Sequence, residues 1–224
     1  MRYDGGKGVT YPQLINLIPP HNKYIETHLG GGAVMRHKQP APTQIGIDLD
    51  PKVIKDWTLK YSSLCKLING NCIQVLSKLE VDENTFIYID PPYHPETRRR
   101  KRVYKHDYTV HNHIELLEFV VSLPCKILIS GYFTELYDDY LSGWSTHRFL
   151  SKTHVDVREE VVWFNYPKPN VLHDYRYLGR DFREREVIRK RQKRLKSRID
   201  QLSLTEQVSI HKWMETSLNN KGVL

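Results

Sequence analysis

Residues 85–93 read Thr-Phe-Ile-Tyr-Ile-Asp-Pro-Pro-Tyr. The first five are all β-branched or aromatic and apolar on both faces, the pattern of a parallel strand buried between two layers of helix. Asp90, Pro91 and Pro92 stop that strand, because proline has no N–H to give to a ladder. The same grammar extends outward. Residues 23–27 (KYIET) read as a strand running into Gly30, Gly31 and Gly32, and 44–47 (QIGI) as a second strand ending near Asp48 and Asp50. Residues 51–61 read as a helix with Pro51 in its first turn, and 67–79 as a short strand and a short helix. Downstream, 112–122 and 134–141 are helical, Thr134 being a suitable N-cap, and 126–130 (KILIS) is a strand. Residues 146–150 and 159–166 form a late pair of strands, expected to be antiparallel. Alternating strand and helix predicts an α/β, Rossmann-like fold: a mostly parallel sheet with a late antiparallel hairpin and helices on both faces.

Two segments break the alternation. Residues 94–106 (HPETRRRKRVYKH) hold six lysines or arginines without periodicity and read as a long loop. Residues 183–198 (REREVIRKRQKRLKSR) hold nine basic residues against two acids and are rich in helix formers. They continue into 199–218, where Ile199, Leu202, Leu204, Val208, Ile210 and Trp213 are spaced as on a helix. The expected organisation is a catalytic domain over 1–170, containing a basic loop at 94–111, followed by a basic helical C-terminal extension over 171–224. The net charge of +8 points to a polyanionic partner, since lysine and arginine gain affinity by releasing counterions from phosphates. Cys65, Cys72 and Cys125 show no metal-ligand spacing, so no metal is expected, and an odd count favours free thiols in a reducing compartment. No apolar run approaches the roughly 18 residues of a membrane span, and the first residues lack the apolar stretch of a signal peptide. These features predict a cytoplasmic, intracellular protein without a membrane partner; they carry no signal for oligomeric state.

The chemistry concentrates at Asp90-Pro91-Pro92-Tyr93, the candidate catalytic residues. The two prolines make a stiff turn that offers carbonyls and no donors, Asp90 adds a carboxylate, and Tyr93 adds a flat ring. Open α/β sheets bind ligands at the carboxyl ends of their strands. An adenine amino group fits such a site: it brings two N–H donors on a ring that can stack. Two acceptors holding both hydrogens would draw the nitrogen towards sp³ and localise its lone pair. A turn that merely ended a strand would need neither Tyr93 nor a glycine turn upstream. That upstream turn, Glu26-Thr27-His28-Leu29-Gly30-Gly31-Gly32, lets a ligand approach the backbone, and Asp48, sixteen residues past Gly32, is placed to bond a ribose. The turn lacks the last glycine or alanine of a dinucleotide fingerprint. At the N-terminus, Tyr3-Asp4-Gly5-Gly6-Lys7-Gly8 sets a lysine among glycines, which suits a carboxylate or phosphate.

Taken in this order, Gly5–Lys7, Glu26–Val34 and Asp90–Tyr93 resemble the motifs of Dam-type adenine-N6 DNA methyltransferases, the DPPY amino-methyltransferases. The late Arg158-Glu159-Glu160-Val161-Val162-Trp163-Phe164-Asn165-Tyr166 is similar to that family's arginine-strand-Asn-Tyr segment, so the resemblance covers roughly residues 1 to 167. It implies S-adenosylmethionine (AdoMet) as cofactor, methyl transfer to a flipped adenine, and double-stranded DNA as partner. It implies that Tyr3, Gly6 and Lys7 lie against the methionine part of the cofactor, that Glu26, Gly30, Gly31 and Gly32 cradle it, and that Asp48 meets its ribose. Asn71 falls where relatives contact the cofactor's adenine, and Asp90, Pro91 and Tyr93 would hold the target base. Thr27 and His28 replace the family's usual Pro-Phe. Only 57 residues separate Gly32 from Asp90, too few for the family's inserted recognition domain. Recognition therefore falls to Arg98, Arg99, Arg100, Lys101 and Arg102 in the basic loop and to Arg158, with the basic C-terminal helix tracking the backbone. The compact form is similar to solitary methylases of phages and prophages. Other expected targets on the same scaffold are cytosine N4, an RNA adenine or a protein glutamine, and a non-catalytic DNA-binding protein is the reading of another class.

Overall fold

The structure, a computed structural model, describes residues 7–98, 105–152 and 157–222. Its elements in chain order are α1 (Tyr11–Ile15), β1 (Lys23–Thr27), α2 (Ala33–His37), β2 (Thr43–Asp48), α3 (Pro51–Tyr61), β3 (Lys66–Asn69), α4 (Cys72–Leu76) and β4 (Thr85–Ile89). Then follow a 3₁₀ turn (Pro95–Thr97), α5 (Val110–Val121), β5 (Lys126–Gly131), α6 (Glu135–Tyr140), β6 (Ser145–Lys152), β7 (Val157–Phe164), α7 (Phe182–Asp200) and α8 (Leu204–Asn219). The strands form one seven-stranded sheet in the order β3-β2-β1-β4-β5-β7-β6. β3, β2, β1, β4 and β5 are parallel, and β7 runs antiparallel to both β5 and β6. This is the Rossmann-like, mostly parallel sheet with a late antiparallel hairpin.

β4 shows why the sheet is sandwiched. Every residue of it is buried. Its side chains alternate faces, as strand geometry requires. Phe86 and Tyr88 join a core with Leu14, Ile15, Tyr24, Val53 and Trp57, whereas Ile87 and Ile89 join one with Leu116, Leu117, Val120, Ile127 and Ile129. β1 pairs with β2 on one side and β4 on the other, so the chain winds away from this point in both directions. The carboxyl ends of β1 and β4 thereby open onto a common crevice, where such sheets bind ligands.

Three local features were not in the sequence pattern. α1 and α2 are only five residues each, and α2 starts at Gly32 in the left-handed conformation, without a side-chain cap. α5 begins at Val110, held by a reciprocal capping box between Thr109 and Asn112. The run from 183 to 218 is two helices, because Ser203 caps α8 with a second capping box to Glu206. No residue of α7 or α8 is buried, so the apolar spacing of 199–218 does not feed the core. Between β7 and α7 the chain returns over the body: His173 N–H donates to Ile18 O (2.9 Å), Gln39 N–H to the buried Asp174 (2.8 Å), and Tyr177 meets Tyr11 edge-on. Among the described residues no helix is long and apolar enough to cross a membrane.

Candidate active site

The glycine turn is shaped by one tryptophan. After β1 the backbone enters the left-handed region at His28, Gly30 and Gly32 (φ 54°, 43° and 53°). Fully buried Trp57, from α3, lies beneath the turn and donates from Nε1 to Gly30 O (2.9 Å). A Cβ at Gly32 would sit 2.0 Å from Trp57 Cζ2, so only glycine fits there. Gly30 N–H donates to Asp48 Oδ2 (2.8 Å), while Asp48 Oδ1 accepts from Asp50 N–H (2.8 Å). Asp48 is thus pinned at the end of β2, its pKa raised by burial. Glu26 is buried, and its Oε2 accepts from Tyr24 OH (2.9 Å) and Met35 N–H (2.8 Å). Burial pushes its pKa up to about 8 against those two bonds. Asn71 caps α4, its Oδ1 accepting from the N–H groups of Ile73 and Gln74. Its Nδ2 makes no hydrogen bond among the described residues, on a side chain that lines the crevice.

Across the crevice, Asp90 follows β4 and is the centre of a buried polar group. Lys7 Nζ lies 2.9 Å from Asp90 Oδ1 and 3.3 Å from Glu160 Oε2, with the Lys7 side chain only 4% exposed. Ser130 Oγ donates to the same Asp90 Oδ1 (2.8 Å) and is paired with Tyr88 OH (2.9 Å). Burial opposes the charge on Lys7, but Asp90 and Glu160 together outweigh it and hold the ammonium well above the ordinary lysine pKa. Burial raises Asp90, and Lys7 and Ser130 pull against that rise. Asp90 Oδ2 has no hydrogen-bond partner among the described residues, and its side chain is 20% exposed towards the crevice. Tyr93 sits in a ladder of rings and cations. Its ring is 4.4 Å from that of Tyr132, Arg158 lies 3.7 Å over Tyr132, and Lys7 is 5.5 Å from Tyr93.

The chain after Tyr93 returns over the glycine-turn side of the crevice. Tyr108 OH lies 2.7 Å from His28 Nε2 and 3.5 Å from Cys72 Sγ. Burial lowers the His28 pKa to about 4 and raises Cys72 and Tyr108, so this cluster is neutral. Lys105 pairs with Asp50 at 3.1 Å. Arg98 donates to the carbonyls of Tyr93 and Tyr108 and pairs with Asp107, with its side chain 5% exposed. The crevice so formed is partly open to solvent. It runs from the glycine turn, Asp48 and Asn71 at one end to Lys7, Asp90, Pro91 and Pro92 at the other.

No protein-family model matches the chain, and no curated protein is similar to it at a significant level. Solved structures are similar in fold. TrmK of M. capricolum, solved with S-adenosyl-homocysteine, is 8% identical with a TM-score of 0.48, covering 96% of this chain and 97% of that one. The N-methyltransferase NodS of Bradyrhizobium japonicum is 11% identical with a TM-score of 0.49, covering 69% of this chain and 93% of that one. An rRNA methylase from Streptococcus thermophilus is 11% identical with a TM-score of 0.45, covering 70% of this chain and 93% of that one. At these identities the likeness concerns the fold.

The structure brings Lys7, Glu26, Gly30, Gly31, Gly32, Asp48, Asn71, Asp90, Pro91 and Pro92 to one crevice. Tyr93 stands beside it in its own ring ladder. Tyr3, Gly6, Arg99, Arg100, Lys101 and Arg102 lie outside the described residues. Arg98 is turned inward onto protein carbonyls and Asp107, and Arg158 is committed to the Tyr132 ring and Thr97 O (3.0 Å). Sequence reasoning did not single out Ser130, Glu160, Tyr88, Trp57, His28 or Tyr108 as site residues. A signal existed for one of them: Ser130 is a polar residue directly after the apolar run 127–129, and it is buried, whereas Glu160 follows Arg158 and Glu159 and does not stand out. Among the described residues no group of three His, Cys, Asp or Glu side chains could hold a metal ion.

Proposed function

We propose that the crevice binds AdoMet and transfers its methyl group to the exocyclic amino nitrogen of an adenine extruded from double-stranded DNA. The observation that carries this reading is the free face of Asp90. One carboxylate oxygen is fixed by Lys7 and Ser130, and the other has no partner among the described residues, at the mouth of a turn whose two prolines offer no N–H. A built acceptor beside a carbonyl, with an aromatic ring flanking it, suits a planar amine better than an alcohol or a carboxylate.

The crevice fits the cofactor on its own terms. Trp57 packs where a Cβ of Gly32 would be, and so fixes the shape of the glycine turn that lines the crevice. Asp48 presents a fixed carboxylate, and at the same end the Asn71 amide donor has no partner among the described residues. AdoMet, when bound, supplies an electrophilic methyl on a positively charged sulfur. The chain's own work is positional and electrostatic. Asp90 Oδ2 and the Pro91 carbonyl hold the two amino hydrogens, which localises the nitrogen lone pair. Burial makes Asp90 a stronger base than a solvated carboxylate, fit to take the proton that the amine sheds. Tyr93, braced by Tyr132 and Arg158, stacks on the base. Arg98 ties the Tyr93 carbonyl to the Tyr108 carbonyl and so links the base end of the crevice to the cofactor end. An adenine amino group cannot be reached inside a duplex, so the base is flipped.

The test is transfer of tritiated methyl from AdoMet to DNA, RNA and protein in parallel, with mass spectrometry of the digested nucleosides. N6-methyladenine in DNA is expected. N4-methylcytosine alone would keep the mechanism and change the target. Transfer only to RNA or protein would change the substrate, and absence of transfer with intact AdoMet binding would overturn the reading.

A further inference from the structure

The charge of +8 is not spread evenly over this molecule. α7 carries nine lysines and arginines against Glu184, Glu186 and Asp200, and so holds +6 of that total. Its first turns are internally paired: Arg180 meets Glu184 at 3.0 Å and Arg189 meets Glu186 at 2.8 Å. Beyond them no acid intervenes before Asp200. Lys190, Arg191, Lys193, Arg194, Lys196 and Arg198 crowd into nine residues, all exposed. At 1.5 Å per residue that is about 13 Å of helix axis. Lys190–Arg194 and Arg194–Arg198 are like charges four apart, which destabilise a free helix.

The helix is nevertheless ordered into faces. With 3.6 residues per turn, Lys190, Arg191, Lys193, Arg194 and Arg198 fall in one arc, and Ile188, Leu195 and Ile199 fall opposite. Ile188 and Ile199 are half-buried, and no residue of the helix is buried. The basic arc faces solvent.

We infer that this arc is a docking surface for the sugar-phosphate backbone of duplex DNA, supplying affinity that does not depend on sequence. The inference rests on the reading of the crevice as a nucleic-acid base site and names where the rest of that substrate is held. Duplex DNA presents one charge per about 1.7 Å of axis, a density that matches six cations in a few turns. A membrane-surface helix needs a broad apolar face with Trp, Phe or Leu, whereas α7 offers three aliphatic side chains there, two of them half-buried. A second copy of the chain would set the same positive arc against itself. The arc is also distinct in role from the crevice, since phosphate contacts position a nucleic acid and base contacts specify it.

The test is the triple variant Lys190→Gln/Lys193→Gln/Arg194→Gln in the full chain, glutamine being nearly as good a helix former as lysine or arginine. Binding to a short duplex is followed by fluorescence anisotropy over a series of salt concentrations. Removing three phosphate contacts lowers the slope of log K against log salt by about 2.7, and lowers affinity near physiological salt on the order of a hundredfold. The maximal methylation rate at saturating DNA, the preferred site and AdoMet affinity stay unchanged. Unchanged affinity and slope would overturn the inference, as would wild-type protein that binds phosphatidylserine vesicles but not duplex. If duplex binding responds as expected but no base is methylated, the crevice reading falls and the surface stands. If methylation proceeds and the triple variant binds like wild type, the surface falls and the crevice reading stands.

Discussion

Replacing Lys7 with methionine probes the centre of the site, because one buried ammonium there answers two buried carboxylates. At 2.9 Å from Asp90 and 3.3 Å from Glu160, and with an effective dielectric near 20, the two attractions come to about 6 and about 5 kcal/mol. Desolvating three ions costs several kcal/mol each, and the carboxylates repel one another, so the triad as a whole adds little net stability. Removing its cation is different, for it strands two uncompensated charges and costs about 3–5 kcal/mol. For a chain of this size each kcal/mol lowers Tm by about 2–4 °C, so the melting point of Lys7→Met falls by roughly 6–20 °C. The catalytic consequence is separate. Burial already raises Asp90 and Lys7 restrains that rise, so without Lys7 the carboxyl moves further up. A protonated Asp90 is a poorer acceptor for an amino group. The acid limb of the Lys7→Met methylation rate should therefore move to higher pH, so that activity lost on the acid side recovers as pH is raised. Glu160→Gln has the opposite sign, since it removes a carboxylate that also raises Asp90, and its acid limb should move to lower pH. Melting curves and the pH dependence of the maximal rate check both. A Lys7→Met enzyme with an unaltered pH profile, or with a loss that no rise in pH restores, would refute the reasoning.

Other outcomes follow from the same geometry. Asp90→Ala should cut the methylation rate on the order of 10² to 10³, by analogy with the loss of an oxyanion-hole donor, and leave AdoMet affinity nearly unchanged in calorimetry; turnover near wild type would remove Asp90 from its role. Gly32→Ala forces a Cβ to within 2.0 Å of a buried indole at φ 53°, at a combined strain of about 2–5 kcal/mol. Calorimetry should show weakened binding of AdoMet and S-adenosylhomocysteine, alongside a lower Tm. His113 is 1% exposed and burial holds its pKa down at about 3, so the unfolded chain takes up a proton here that the folded chain refuses. Its contribution to stability is intact above pH 6.5 and is lost as pH falls towards 3. Relative to wild type, His113→Phe should accordingly gain about 2 kcal/mol between pH 7.5 and 5 in chemical denaturation; a gap that does not change with pH would contradict the burial argument.

Much of this protein is written in short-range chemistry, which a sequence carries openly. An unbroken apolar run at 85–89 can only be a strand covered on both faces, and Pro91 and Pro92 can only end it. Thr134 caps the helix that follows it because its side chain reaches the backbone N–H three residues on. The order of glycine turn, Asp48 and Asp90 along the chain places all three at carboxyl ends of strands once a parallel sheet is granted. α1 and α2 escaped because their burial is tertiary: α1 is defined by packing of Leu14 and Ile15 into the core, and α2 opens on a left-handed glycine instead of a polar cap.

What only the tertiary structure decided is which distant side chains meet. Strand order is a choice among topologies that share one hydrophobic pattern. It is this order, with β1 beside β4 and β7 inserted between β5 and β6, that brings Lys7, Asp90, Ser130 and Glu160 together. The same holds for Trp57 beneath Gly32 and for Tyr108 against His28. Arg98 illustrates the reason most clearly. In sequence it is one of a run of arginines, a row of equivalent charges facing solvent or phosphate. In the fold, two carbonyls and Asp107 converge on it, and burial makes satisfying its donors worth more than leaving them in water. Composition tells how many charges a chain has, but only the path of the backbone determines which of them are turned inward.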